Sequence, residues 1–578
     1  MRAVRPFVLS LCVAAAAIAL GAPSAFGATP STAYTLTSID TPFPQPTGRF
    51  AERHAATDDI DRDGVNDYFV GAPSETVGGI NNAGRVHAIS GRTRAVMYDI
   101  ESPEIQLAAQ FGFFISILGD VDNDGRGDIA IGTDAQDTTA DGTSCTPPLA
   151  GCNDGQGKAW VFSGGKRGRL LYAVNNPDPQ PTARFGSRIG RAGDVTGDGV
   201  PESIMGASGN DAPAGCGNDG TVEPGCRVNQ GQAYIFNGVT GAPVRTLNLP
   251  AADQASPTCS TSCGGFGLSV QGPGDVDGDG VTDQLVNASS LALEADGDVC
   301  APPVPGCNAG QGALHLFSGQ TGAPLARIDD PTPEAGATFG FQDAAPLSPG
   351  DVNGDGRADL FANGFGQDGP QGESQGRIWV FNGKATVENP DQHGVVLYEP
   401  QDPTPSRGGQ CCFALAKTDY NKDGRPDLYV GQSPHHVAGT DQSGGTYVFD
   451  GRNGSLLKSL ELPAGVRQPG GLGLGSNLGW SVAAPGDLNR DGEPDYLAGA
   501  PFQDVGASQD EGKGFVFLSK VPPSPPPQGG GGGSAATNCP SGTSAGVSCQ
   551  PLPGGGRRIT GTPGNDTIVG TAANDIIR

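Results

Sequence analysis

Seven copies of one nonapeptide, Asp-x-Asp/Asn/Thr-x-Asp-Gly-x-x-Asp/Glu, begin at Asp59, Asp120, Asp194, Asp275, Asp351, Asp419 and Asp487. Oxygen side chains at positions 1, 3 and 5, with glycine turning the chain sharply at position 6, aim three ligands at one centre. That suits calcium, a hard cation that takes roughly six to eight oxygens. Position 7 then offers its backbone carbonyl and position 9 closes the shell. The expected ligand sets are Asp59, Asp61, Asp63, Val65 and Asp67; Asp120, Asp122, Asp124, Arg126 and Asp128; and Asp194, Thr196, Asp198, Val200 and Glu202. They continue with Asp275, Asp277, Asp279, Val281 and Asp283; Asp351, Asn353, Asp355, Arg357 and Asp359; Asp419, Asn421, Asp423, Arg425 and Asp427; and Asp487, Asn489, Asp491, Glu493 and Asp495. About one Ca²⁺ per loop is expected.

An EF-hand would need a bidentate glutamate at position 12. Here that position holds Val70, Ile131, Met205, Val286, Ala362, Val430 or Ala498, so the loops read as hairpin sites. Positions 1, 3, 5 and 9 of the loops carry 24 carboxylates, whose mutual repulsion opposes folding unless a cation offsets it. The Asp194 loop, with Thr196 and Glu202, is the weakest of the seven.

Short apolar runs follow each loop, such as Ile129-Ala130-Ile131 and Leu428-Tyr429-Val430, and a second run ends in a turn, as in residues 158–164 and 378–383. These read as buried strands and hairpins. Upstream of five loops stands Phe111-Gly112, Phe185-Gly186, Phe266-Gly267, Phe339-Gly340 or Leu478-Gly479. Each unit of roughly seventy residues therefore holds about four strands, too few to cover both faces of a sheet. Radial stacking of seven such units closes a β-propeller. The fold class expected is all-β, a seven-bladed propeller over residues 34–520, with the segment 34–39 supplying the outer strand of the last blade.

These pieces resemble the FG-GAP repeat family, whose best-known members form the seven-bladed head of integrin alpha subunits. The matching features are Phe-Gly before the loop, the acidic loop itself, and Gly71-Ala72-Pro73 or Gly499-Ala500-Pro501 after it. Middle units depart, with Ile131-Gly132-Thr133, Gly206-Ala207-Ser208 and Ala362-Asn363-Gly364 in that place. The resemblance implies a calcium-binding adhesion or ligand-binding module, its partner an extracellular protein or glycan.

Composition agrees with this class. Hydrophobic residues make 36% and aromatics 6%, while glycine and proline number 94 and 49, which favours short strands and turns over long helices. A net charge of −27 argues against nucleic acid as a partner and for cations. Residues 1–27 read as a secretory signal, with Arg2 and Arg5 before the apolar run Phe7 to Leu20, and no other run approaches a membrane span. The twelve cysteines beyond the signal fall into near neighbours: Cys145/Cys152, Cys216/Cys226, Cys259/Cys263, Cys300/Cys307, Cys411/Cys412 and Cys539/Cys549. They read as local disulfides of a secreted or cell-surface protein, with the pairing of adjacent Cys411 and Cys412 open.

Residues 521–558 form a Pro/Gly-rich linker with five consecutive glycines, 529 to 533. Residues 559–578 hold two nonapeptides that resemble the RTX calcium-binding repeat and the start of its β-roll, with Asp566 and Asp575 as ligands. Six scattered histidines form no HExxH, so no catalytic residue is assigned and the chain is read as a non-enzyme. Trp160 and Trp379 sit in the strand pattern and are expected in the core. The alternative reading is the propeller of an extracellular hydrolase or lyase acting on polysaccharide or lipid, with a cleft built from the insertions 134–157, 209–230 and 289–311.

Overall fold

The computed structural model describes residues 34–519 apart from 147–148, 213–225, 255–263, 295–296, 301–304, 342–347, 370–373, 406–408, 413, 434–442, 464–465, 467–474 and 507, together with the backbone of 548–551, 557–560 and 576–577. The segment 1–27 read as a signal, the glycines 529–533 read as linker, Asp566, Asp575, His435, His436, Cys216, Cys259, Cys263 and Cys539 lie outside the described residues.

Residues 34–519 form a ring of seven antiparallel sheets. Blade 1 runs through Arg53–Ala56, Tyr68–Ala72, Arg85–Ile89 and Val96–Glu101, and the other blades repeat this meander. In blade 5 three strands are described, Leu360–Gly364, Arg377–Phe381 and Val396–Tyr398. The turn after Arg377–Phe381 winds into a short α-helix, Gly383–Glu388, because the Asn382 side chain accepts the Ala385 N–H at 2.8 Å and caps it. Blade 7 takes its outer strand from the other end of the propeller chain: Tyr34–Ile39 pairs with Lys513–Ser519 over six residues, Tyr34 opposite Ser519 and Ile39 opposite Gly514. The expected closure is observed, and it leaves no unpaired join in the ring.

The core lies between blades. Among the described residues the buried apolar side chains gather in seven clusters, and each draws on two adjacent blades. Trp160 and Trp379 are buried in two of them, as expected. Disulfides join Cys145 to Cys152 and Cys300 to Cys307, within insertions between the second and third strands. Cys226 is also disulfide-bonded, and Cys411 is bonded to its neighbour Cys412.

The five Phe-Gly or Leu-Gly pairs are part of a set of seven. Each pair's first residue donates its N–H to the loop before the third strand of the preceding blade: Phe111 to Ala83 (2.9 Å), Phe185 to Gln156 (2.8 Å), Phe266 to Gln230 (2.8 Å), Phe339 to Gln311 (2.7 Å) and Leu478 to Ser443 (3.1 Å). The two remaining interfaces use Phe50, donating to Glu511 at 2.8 Å, and Cys411, donating to Gln375 at 2.8 Å. The second residue of each pair has a positive φ, 76° to 90° at the five glycines, 66° at Ala51 and 100° at Cys412. Five of the wedge rings also meet a ring on their own third strand, Phe50–His87, Phe111–Trp160, Phe185–Tyr234, Phe266–His315 and Phe339–Trp379, at centroid distances from 5.5 to 6.3 Å. The approach leaves no room for a side chain opposite: a Cβ on Gly157, at φ 81°, would stand 2.1 Å from the Phe185 carbonyl oxygen.

The inner strands surround a channel of about 340 Å³ lined by Arg53, His54, Phe114, Ile189, Leu415 and Val482, among others. His54 is buried there, its Nδ1 2.8 Å from Ser481 Oγ, and burial lowers its pKa to about 3.

The tail unit is described only by its backbone. Ser548–Pro551 pairs antiparallel with Arg557–Thr560, whose Arg558 and Ile559 pair in parallel with Ile576 and Ile577.

Two outcomes are expected. Phe185→Ala removes a buried wedge shared by blades 2 and 3 and should cost about 3–5 kcal/mol, read from the denaturation midpoint. For His54, an unfolded histidine binds a proton near pH 6.5 whereas the native one does so only at about 3. Between those values the unfolded chain holds a proton the fold lacks, so this contribution is complete above pH ~6.5 and is lost as pH falls. His54→Gln should flatten that part of the stability–pH curve; urea midpoints at pH 7 and 5 measure it.

Candidate metal-binding loops

Six acidic loops join the first strand of a blade to the second, and the Asp351 loop likewise leads into Leu360–Gly364, the strand of blade 5 that pairs with Arg377–Phe381, so the loops share one face of the ring. The first residue closes the loop: Asp59 accepts the N–H groups of Asp63 (2.9 Å) and Gly64 (2.6 Å), and Asp120 those of Asp124 (2.9 Å) and Gly125 (2.8 Å). Asp194, Asp275, Asp351, Asp419 and Asp487 each likewise accept the position-6 amide, at 2.6 to 3.1 Å. Position 3 accepts from position 5, through a carboxylate at Asp61 (3.0 Å) and Asp277 (3.0 Å) and through an amide oxygen at Asn353 (2.8 Å), Asn421 (3.0 Å) and Asn489 (2.8 Å). Asparagine therefore takes the aspartate's place with its oxygen inward. Asp63, Asp198, Asp279, Asp355, Asp423 and Asp491 accept the position-7 N–H of Val65, Val200, Val281, Arg357, Arg425 and Glu493.

Position 9 does more than sequence reasoning assigned to it. Asp67 Oδ2 accepts the N–H groups of Ile60 (2.8 Å) and Asp61 (3.2 Å), while Oδ1 accepts that of Gly91 (2.9 Å) in the turn after the third strand. Asp128 reaches Gly164 in the same way, Asp283 reaches Gly319, Asp359 Gly383, Asp427 Gly451 and Asp495 Ser519. Glu202, with one more methylene, makes the longest of these contacts, 3.5 Å to Gly238. One buried carboxylate per blade thus fastens the acidic loop to the neighbouring hairpin. In six blades the signal was the glycine of a Ser-Gly, Asn-Gly or Asp-Gly turn, which sequence reasoning took for a turn alone; in blade 7 the partner is Ser519 at the end of the third strand. Burial pushes the carboxyls of Asp67, Asp128, Asp283, Asp359 and Asp495 up to about 6, and raises those of Glu202 and Asp427 as well.

The side chains at position 7 project sideways, although that position was singled out for its carbonyl. Arg357 Nη1 stands 3.6 Å from Asp275 of the preceding blade's loop, and Arg425 donates to Val352 O at 3.0 Å. Glu493 pairs with Lys422 of blade 6 at 2.8 Å, and Arg126 donates to Gly165 O within its own blade.

Ligand oxygens come within 4.8 Å of one another in three carboxylate groups: Asp59 with Asp61 and Asp67, Asp120 with Asp122 and Asp128, and Asp275 with Asp277 and Asp279. That spacing fits one cation per group, and the donors are all hard oxygens. In the loops of Asp351, Asp419 and Asp487 the amide oxygen at position 3 occupies the equivalent place in the turn.

Residues 351–430 and 419–498 match the model of an FG-GAP-like repeat. The chain is 30% identical over 176 residues to human phosphatidylinositol-glycan-specific phospholipase D, covering 29% of this chain and 19% of that protein. Similarity extends to integrin alpha-PS5 of Drosophila melanogaster, 26% over 176 residues, covering 28% of this chain and 16% of that protein. Integrin alpha-5 of Xenopus laevis is 26% identical over 238 residues, covering 40% and 19%. The matched segments thus span less than a quarter of each relative.

Asp128→Asn is expected to destabilise the protein by about 1–3 kcal/mol even in chelator, because an amide cannot accept all three N–H groups that meet the carboxylate. Denaturant midpoints in chelator separate this from metal loss. The closed ring makes residues 34–519 a seven-bladed β-propeller, within which residues 351–498 match FG-GAP-like repeats.

Proposed function

We propose that this propeller is a secreted or cell-surface module that carries about one Ca²⁺ per blade loop and binds an extracellular protein or glycan. The observation that carries the calcium reading is the convergence of carboxylate oxygens in three loops, with the same backbone frame in the other four. Positions 1, 3, 5 and 9 would supply side-chain oxygens and position 7 a carbonyl, as assigned above. The ion offsets the repulsion among carboxylates and the cost of burying the residue at position 9. Its role is structural, since a shell made by one loop leaves little room for substrate. Adhesion is supported by the similarity to integrin alpha chains. The local disulfides and the signal-like segment fit an oxidising, extracytoplasmic location. No helix among the described residues is long and apolar enough to cross a membrane. Beyond the propeller, residues 521–558 serve as a linker and 559–578 as RTX-like repeats, with Asp566 and Asp575 as further calcium ligands.

A second reading is favoured by the similarity to the phospholipase D relatives: the propeller of an extracellular hydrolase or lyase. Insertions between the second and third strands, on the face opposite the acidic loops, would then build the cleft.

Calcium at one hundred times its Kd adds about 2.7 kcal/mol per site, so chelation should lower the melting temperature markedly. An unchanged melting temperature would remove the calcium reading. Binding of the full chain to matrix proteins and cell-envelope glycans, with and without calcium, tests the adhesion reading. Hydrolysis of phosphatidylinositol glycan or of a polysaccharide panel by the same preparation would replace it with the second.

A further inference from the structure

In blades 2, 4 and 5 a residue shortly after the outer strand caps the turn leading to the next blade. Asn176 accepts the Asp178 N–H at 3.1 Å, Asp330 the Thr332 N–H at 2.8 Å and Asp402 the Thr404 N–H at 2.8 Å. In Asp402 the second oxygen is also satisfied, by Gln432 Nε2 of the same blade-6 second strand at 2.8 Å. In blade 5 the position of Gln432 is taken by Gly364, which has no side chain to reach Asp330, and the nearby Gln367 gives its amide to Thr332 O and Glu334 Oε2, each at 2.8 Å. Asp330 is 3% exposed, and its Oδ2 is buried with no hydrogen-bond partner.

At this point the outer edges of blades 4 and 5 enclose a cavity of about 300 Å³. Glu294, Asp329, Asp330, Gln311, His393 and Phe381 are among its lining residues, which include three carboxylates and no lysine or arginine. Asp329 is already engaged, by Arg327 Nη2 at 2.8 Å and by His393 Nδ1 at 2.8 Å. Asp330 is not: its burial pushes the carboxyl up to about 7, which Arg377 nearby offsets only in part and Glu334 reinforces. The cavity therefore combines negative charge with a buried acceptor that is satisfied at the equivalent Asp402. Among the described residues, the carboxylate groups tight enough for a single metal ion are those of the acidic loops, so a cation with spread N–H donors suits this cavity better.

We propose that this cavity binds an organic cation, an ammonium or guanidinium group that donates to Asp330 and Glu294. The site is separate from the acidic loops and does not depend on their occupancy by calcium.

The test is calorimetric titration of the calcium-loaded full chain with butylammonium and butylguanidinium chloride, against 1-butanol and methyl α-glucoside as neutral probes. Saturable binding of at least one cation and of neither neutral probe is expected. Asp330→Asn keeps the cap through its amide oxygen and should weaken cation binding at least about tenfold. Glu294→Gln lies at the half-buried rim and should weaken it about threefold or more, which keeps the proposal testable if the first variant does not fold. Absence of cation binding, equal binding of a neutral probe, or unchanged affinity in a folded variant would each overturn the proposal.

Discussion

A sheet of four short strands has two apolar faces and nothing of its own to cover them. Every other feature of this propeller follows from satisfying that constraint seven times. The clusters of buried side chains sit between blades, so a blade is stable only through its neighbours. The wedge residue matters because it works at that boundary: its ring fills the interface while its N–H is tied to the blade before it. Ring closure by Tyr34–Ile39 is the same requirement met at the last boundary, where an open edge would otherwise remain.

The acidic loops answer a different need on one face of the ring. Each must hold several carboxylates together, and one of them is buried to accept backbone amides from two segments. Those amides compensate the buried charge only partly, which is why the carboxyl stays well above its ordinary range. A hard divalent ion, as proposed for these loops, would complete the compensation without altering the frame, because the loop's own hydrogen bonds already turn its oxygens inward. Contacts such as Arg425 to Val352 O then link one loop to the next around the ring.

Much of this was legible in the sequence because the unit repeats: one nonapeptide at fixed internal spacing located every acidic loop, and the strand runs followed from it. What repetition concealed was substitution under the same geometry. Phe50-Ala51 and Cys411-Cys412 do not resemble Phe-Gly closely, yet they take the same positive φ and the same bond to the preceding blade. The role of the ninth residue was hidden because its distant partner is a backbone amide, which leaves no mark in side-chain identity beyond a turn glycine. The helix Gly383–Glu388 was also unreadable, since six residues are too few for a helical period to show. The open acceptor at Asp330 turns on Gly364 standing where blade 6 has Gln432, and no spacing rule records what that side chain would reach.

The pairing of Tyr34 with Ser519 has a mechanical consequence. The propeller's first and last residues lie side by side at one end of an antiparallel pair, so tension applied across them opens that ladder one rung at a time instead of shearing all rungs together. A propeller anchored through one of these ends and loaded through the other would yield first at its closing blade, at low force. The same load applied between a ligand on the ring and either end bypasses those rungs' weak direction and is carried by the inter-blade cores. Geometry of attachment, more than the number of bonds, would then decide how much force the ring transmits before it opens.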